Sequence, residues 1–155
     1  MRHVDIPPLT LAAYREIIPE EMLEALHALS RDLRGLRVIH INATPTGGGV
    51  AEILNSLVGL MRGLDLDAQW YVLEPEPAFC QITKKLHHAL QGGQASLSTL
   101  ETAWYRAHTA KEAAHLGALE RSADLWIMHD PQTLPLRGFL QDQAPAVWVC
   151  HVDSS

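Results

Sequence analysis

The residues of this chain that are able to do chemistry fall in four places. Gly47-Gly48-Gly49 follow Ala43-Thr-Pro-Thr46 and precede a run with helical apolar spacing. Glycines there let an anion such as a phosphate come close to the backbone, where a first helical turn leaves N–H groups unpaired and carries the positive end of the dipole. The pattern is neither GxGxxG nor the P-loop, so neither a dinucleotide site nor a Walker-type phosphate loop is supported. A plain tight turn accounts for the glycines equally well. His129-Asp130 stand before Pro131, a pair suited to orienting a sugar hydroxyl or positioning a base; an Asp before Pro is also a routine helix cap. His151 and Asp153 alternate along an extended segment and so point the same way; a solvated terminus accounts for the pair equally well. Lys84, His87 and Gln91 share one helical face at i, i+3 and i+7, a stripe that is normally a helix's wet side.

Nine histidines and two cysteines supply many ligand atoms, but no HExxH or clustered CxxC spacing organises them, and no metal site is expected. Cys80 and Cys150 read as small buried hydrophobes in a reducing compartment. Trp70, Trp126 and Trp148 lie inside apolar runs and read as core rather than as sugar-stacking platforms.

The elements that must position these residues follow from spacing. Arg37-Val-Ile-His-Ile-Asn42 is a β-branched run of the kind found in a strand covered on both faces. The glycine turn comes next, then a helix over Val50–Arg62 with apolar residues at 53, 54, 57, 58 and 61, closed by Gly63, and a second strand over Ala68–Leu73. Strand, turn, helix and strand within about 40 residues form a right-handed βαβ unit. After Glu74-Pro-Glu-Pro77 come helices over Phe79–Gln91 and Ser98–Arg121, a third strand over Asp124–Met128, a short helix over Thr133–Gln141 and a fourth strand over Ala146–Cys150. The fold class expected is α/β, a doubly wound and mostly parallel sheet flanked by helices. In such sheets ligands bind outside the carboxyl ends of the strands, where the Gly47–Gly49 turn, His129-Asp130 and His151 with Asp153 converge. Residues 1–36 read as an N-terminal extension with one amphipathic helix over Glu20–Leu33, Pro19 suiting its first turn and Met22, Leu23, Leu26, Leu29 and Leu33 forming its apolar stripe. Residues 37–155 form the Rossmann-like domain.

At 155 residues the chain has room for one domain, and 47% hydrophobic with 19% charged residues is a globular composition. Twelve basic against eighteen acidic residues give a net charge of −6, which argues against a nucleic-acid partner. No apolar run approaches the roughly 18 residues that span a bilayer, and the N-terminus has no signal-peptide core. No membrane partner and a cytoplasmic location are expected.

Val38-Ile-His-Ile-Asn-Ala-Thr-Pro-Thr-Gly-Gly-Gly-Val-Ala-Glu-Ile-Leu54 resembles the opening of the trehalose synthases that transfer glucose from a nucleotide sugar. These are retaining glycosyltransferases of family 4 with two Rossmann-like domains, the GT-B fold. Thr83-Lys-Lys-Leu-His-His-Ala-Leu-Gln-Gly92, His129-Asp-Pro-Gln132 and Cys150-His-Val-Asp-Ser-Ser155 fit the same family in its order, with His88 where the family usually has Asn. The resemblance covers residues 37–155 and implies an isolated N-terminal, acceptor-side domain whose C-terminal donor domain is absent. It further implies catalytic roles for His151 and Asp130, donor-phosphate contact by Gly47, Gly48 and Gly49, and an acceptor-sugar pocket of Lys84, His87, Gln91 and Asp153. Glucose or trehalose would be the sugar partner. The nucleotide-glucose would bind through the absent domain as a substrate, so no cofactor is expected. Apolar surface left bare by that domain would favour a homo-oligomer. The alternative is a non-catalytic sugar- or phosphate-binding or assembly module on the same fold.

Overall fold

A computed structural model describes residues 1–120 and 122–151. Its strands are β1 Arg2–His3, β2 Arg37–Asn42, β3 Asp67–Val72, β4 Leu125–His129 and β5 Ala146–Val149. Its α-helices are α1 Glu20–Asp32, α2 Gly49–Gly63, α3 Pro77–Leu90, α4 Thr99–Leu119 and the single turn α5 Asp130–Thr133. The described strands form one sheet in the order β1-β3-β2-β4-β5. β2, β3, β4 and β5 are parallel, and β1 runs antiparallel along β3. This is the doubly wound, mostly parallel α/β class expected from the sequence, and it is compatible with a Rossmann-like half of a GT-B fold.

Side-chain parity divides the core into two layers. Tyr71 and Leu73 join Ile39, Ile41, Trp126 and Met128 on one face, packed with Phe79, Ile82, Tyr105 and Leu116 of α3 and α4. Ala68, Trp70 and Val72 turn to the other face against Ala51, Leu54 and Val58 of α2. Crossovers of one hand that run in opposite directions across the sheet, β2 to β3 and then β3 back to β4, put their helices on opposite faces, and the sheet is covered on both. Each fully buried Leu, Ile or Phe contributes on the order of 1.5–3 kcal/mol, and Ile39, Ile41, Leu54 and Phe79 are all 0% exposed. From β2 the chain crosses to β3 on one side and returns to β4 on the other. The strand order therefore reverses between β2 and β4, and a crevice opens at their carboxyl ends.

Several local expectations are corrected. The helix expected over Thr133–Gln141 begins earlier, as α5, and continues as a 3-10 turn over Leu134–Gly138, because Pro131 and Pro135 fall at the starts of the two pieces. Pro19 stands just before α1, as its N-cap residue, rather than inside the first turn. The apolar stripe of α1 is mostly uncovered: Leu23 is buried, while Met22 and Leu29 are exposed. Cys80 is exposed and Cys150 partly so, against the buried reading. Cys80 lies on the outer side of α3, away from the buried Phe79, Ile82 and Thr83, and Cys150 just follows β5, a strand at the sheet's edge. Trp70 and Trp126 are core residues as expected, and Trp148 is half-buried. The first residues contribute an unforeseen strand, and Ile6 packs beneath α2. Among the described residues, no helix is long and apolar enough to cross a membrane.

Candidate functional site

β4 ends on His129 and turns at once into α5. Asp130 makes that turn with φ +64°, a left-handed conformation uncommon for a residue with a side chain and best tolerated by Asn and Asp. The sequence also allowed Asp130 to be a helix cap, but its side chain caps nothing in α5. Its carboxylate turns instead toward the chain leaving β5: His151 N–H donates to Asp130 Oδ1 at 2.9 Å, and His151 Nδ1 stands 3.4 Å from the same oxygen. The Trp148 indole donates to the Asp130 carbonyl at 2.9 Å, and the Thr133 hydroxyl to the His129 carbonyl at 2.7 Å. From α3, His87 Nε2 donates to the His151 carbonyl at 2.8 Å, which places its proton on Nε2. Three residues far apart in sequence, His87, Asp130 and His151, thus form one bonded group.

Behind His151 lie two further imidazoles. The rings of His129 and His151 stack with centroids 5.3 Å apart, and those of His40 and His129 lie side by side, nearly coplanar, with centroids 5.5 Å apart. His40 Nδ1 and His129 Nε2 share a hydrogen bond of 3.1 Å. Burial holds both of these rings well below the ordinary 6.5, at about 4, with the neighbouring imidazoles adding to the effect at His129. Both are therefore neutral at pH 7. Sequence reasoning placed His40 only inside a strand. The available signal was a polar residue in the middle of the buried run Val38–Ile41, which must find a partner.

The glycine turn leaves from the end of β2, next to β4. Asn42 is buried there, accepting from the Trp70 indole at 2.8 Å and donating to the Thr44 carbonyl at 2.8 Å. Gly47 has φ +78°. Gly48 is the N-cap of α2 with φ −177°, an extended backbone open to any residue. Gly47, Gly48 and Gly49 are all exposed, with nothing within 4 Å of where a Cβ would stand. Gly48 has no side chain to cap α2, so the first N–H groups of the helix face solvent and can receive an anion.

Lys84, His87 and Gln91 line an open groove of about 520 Å³ along α3 together with Gln81, Lys85 and His88. His87 joins this groove to the Asp130–His151 group. Asp153 lies outside the described residues. Among the described residues, no group of three or more His, Cys, Asp or Glu is arranged to hold a metal ion.

A family profile described as "Trehalose synthase, N-terminal domain" matches residues 40–155. The chain belongs to that family. Trehalose synthases from Thermococcus litoralis and Rubrobacter xylanophilus are 41% and 40% identical to it, each over 94% of this chain but only 35% and 36% of their own lengths. A trehalose phosphorylase from Pleurotus pulmonarius is 30% identical over 92% of this chain and 21% of its own length. The chain therefore spans about a third of the length of the curated synthases it matches.

Asp130→Ala is expected to destabilise the domain by about 1–3 kcal/mol, since the His151 N–H loses its acceptor. Asp130→Asn keeps an acceptor and suits the left-handed backbone, so urea unfolding should show most of the loss restored. Equal losses in both variants would assign the effect to the lost charge instead.

Proposed function

We propose that this chain is the acceptor-side half of a retaining glycosyltransferase that moves glucose from a nucleotide sugar to a second glucose, forming trehalose. The observation that carries the reading is the family match over residues 40–155. The bonded group of His87, Asp130 and His151 at the carboxyl edge of the sheet supports it, because that edge is where such folds bind ligands.

In this reading the Gly47–Gly49 turn faces the donor phosphate across a cleft whose other wall is the nucleotide-binding half. His151 holds a hydroxyl of the glucose being transferred and the charge that develops beside it. Asp130 binds sugar hydroxyls. Lys84, His87 and Gln91 line the acceptor glucose pocket, with Asp153 beside it. The acceptor oxygen bonds to the anomeric carbon on the face from which the nucleoside diphosphate departs. As the carbon–phosphate-oxygen bond breaks, the hydroxyl proton passes to that leaving oxygen. The chain supplies position and charge stabilisation rather than a nucleophile. No cofactor enters this scheme; the nucleotide sugar is a substrate.

Isothermal titration of this chain with glucose, trehalose and nucleoside diphosphates tests the reading. Binding of glucose or trehalose that is lost in Lys84→Ala is expected, with no glucosyl transfer until a donor half is supplied. Absence of sugar binding would overturn the acceptor assignment. Sugar binding without transfer in a protein carrying both halves would favour a non-catalytic binding module.

A further inference from the structure

We propose that His40 and His129 are positioning residues that hold the His151 imidazole in place, as the inner two rings of a three-ring column in which His40 is bonded edge to edge with His129 and His129 packs against His151. The inference rests on the reading above only in taking His151 as the residue that meets the sugar.

Strand register builds the column. In the parallel ladder His40 lies opposite Ile127, and His129 lies opposite Val149. Positions 40, 127, 129 and 149 therefore share one face of the sheet, and residue 151 follows 149 with the same parity. The ring planes are tilted by 16° between His40 and His129 and by 28° between His129 and His151. His40 is 1% and His129 4% exposed, whereas the His151 side chain is about 30% exposed and forms the open end.

The arrangement is costly for a mere core. Each neutral imidazole carries one proton, and the pair shares a single hydrogen bond. His40 Nε2 and His129 Nδ1 are both buried without a protein partner. Whichever tautomers the rings adopt, one of those atoms is an unmet donor and the other an unmet acceptor. Leu or Phe would fill the same strand positions without orphaned polar atoms, and such orphans in a native core call for another reason. The column provides one. The main chain of His151 is held by Asp130 on one side and His87 on the other, and the ring itself has only the long 3.4 Å contact of its Nδ1 with Asp130 Oδ1 to restrain its side-chain torsions. The flat face of His129 restricts that rotation, and the hydrogen bond to His40 fixes the plane of His129 in turn. Because the two inner rings are kept neutral by burial, they do so without placing charge beside the ring that pairs with Asp130.

Nuclear magnetic resonance on this chain tests the assignment. Three-bond couplings report the His151 side-chain rotamer, and ring-to-ring Overhauser contacts report the stack. In the unmodified chain a single His151 rotamer and a contact between the rings of His129 and His151 are expected. His129→Leu should leave His151 averaged among rotamers, while His129→Phe, which retains a flat ring but loses the bond to His40, should restore the preference for one rotamer in part. If glucose binds, its affinity should fall about tenfold or more in the Leu variant and recover in part in the Phe variant. A single, unchanged His151 rotamer in a folded His129→Leu chain would overturn the proposal. So would rotamer averaging, or absence of the ring contact, in the unmodified chain, which decides the matter even if the variants fail to fold. A held His151 in a chain that binds no sugar would count against the glycosyltransferase reading and leave the column intact.

Discussion

Gly48→Val is expected to lower turnover about 100- to 1,000-fold in a two-domain protein carrying this segment, with little change in the stability of the domain. The fold tolerates the side chain. Gly48 has φ −177°, and its added Cβ meets nothing within 4 Å. The proposed phosphate position does not tolerate it, because a branched side chain at the N-cap of α2 stands between an approaching anion and the first N–H groups of the helix. Removing one contact aimed at developing negative charge typically costs about 2.7–4 kcal/mol in the transition state. Gly47 provides the contrast. Its φ of +78° lies in the left-handed region, so Gly47→Val should cost roughly 1–2 kcal/mol of stability through backbone strain. Thermal melts and kinetics on the same preparations separate the two effects. Normal turnover per folded molecule in Gly48→Val would remove the turn from the donor site and leave it as chain geometry.

Acidification should destabilise the domain progressively between pH 6.5 and 4. His40 and His129 titrate at about 4 in the folded protein against an ordinary 6.5. Across that window the unfolded chain takes up protons at both positions and the folded chain does not. Stability is thus fully present above 6.5 and declines as pH falls. At about 1.36 kcal/mol per pH unit, each ring accounts for on the order of 3 kcal/mol at the bottom of the window. Two such losses rival the roughly 5–15 kcal/mol total of a typical domain. His108, buried on α4, is shifted in the same direction and adds to the trend. Glu101, held at about 2 by Lys85 and the Ser98 cap, contributes only below its own ordinary value of 4.5. Urea unfolding at a series of pH values gives the slope directly. Replacing both rings together, His40→Leu with His129→Leu, removes donor and acceptor at once and should cost little at pH 7. That double variant should also lose much of the slope between 6.5 and 4. An unchanged slope would place the acid sensitivity elsewhere.

Residue type and spacing alone determined the class of fold and which polar residues gather at the carboxyl edge of its sheet. A β-branched run, a glycine turn, an amphipathic helix and a second run specify a βαβ unit because period-2 and period-3.6 patterns bury different faces. Element bounds followed to within a few residues where the pattern was long, as in α2, α3 and α4. They failed where a local choice was decided by prolines, as at Pro131 and Pro135, or by packing, as for the exposed stripe of α1 and the exposed Cys80. Motif order carried the family, and with it the expectation of catalytic roles for Asp130 and His151.

Tertiary structure decided which residues meet. That β2 lies between β3 and β4 depends on the direction of each crossover, which no short window of residues encodes. Only that order brings His40 beside His129, 89 positions apart. It also stacks His151 on the pair and leaves two imidazoles neutral through burial. The left-handed turn at Asp130 was equally hidden, since Asp before Pro is compatible with a cap; the acceptor it offers to the His151 N–H exists only once β5 has docked beside β4. Spacing along a chain fixes the face on which a side chain lies, whereas its partner, its burial and therefore its proton affinity are set by strands that arrive from elsewhere in the sequence.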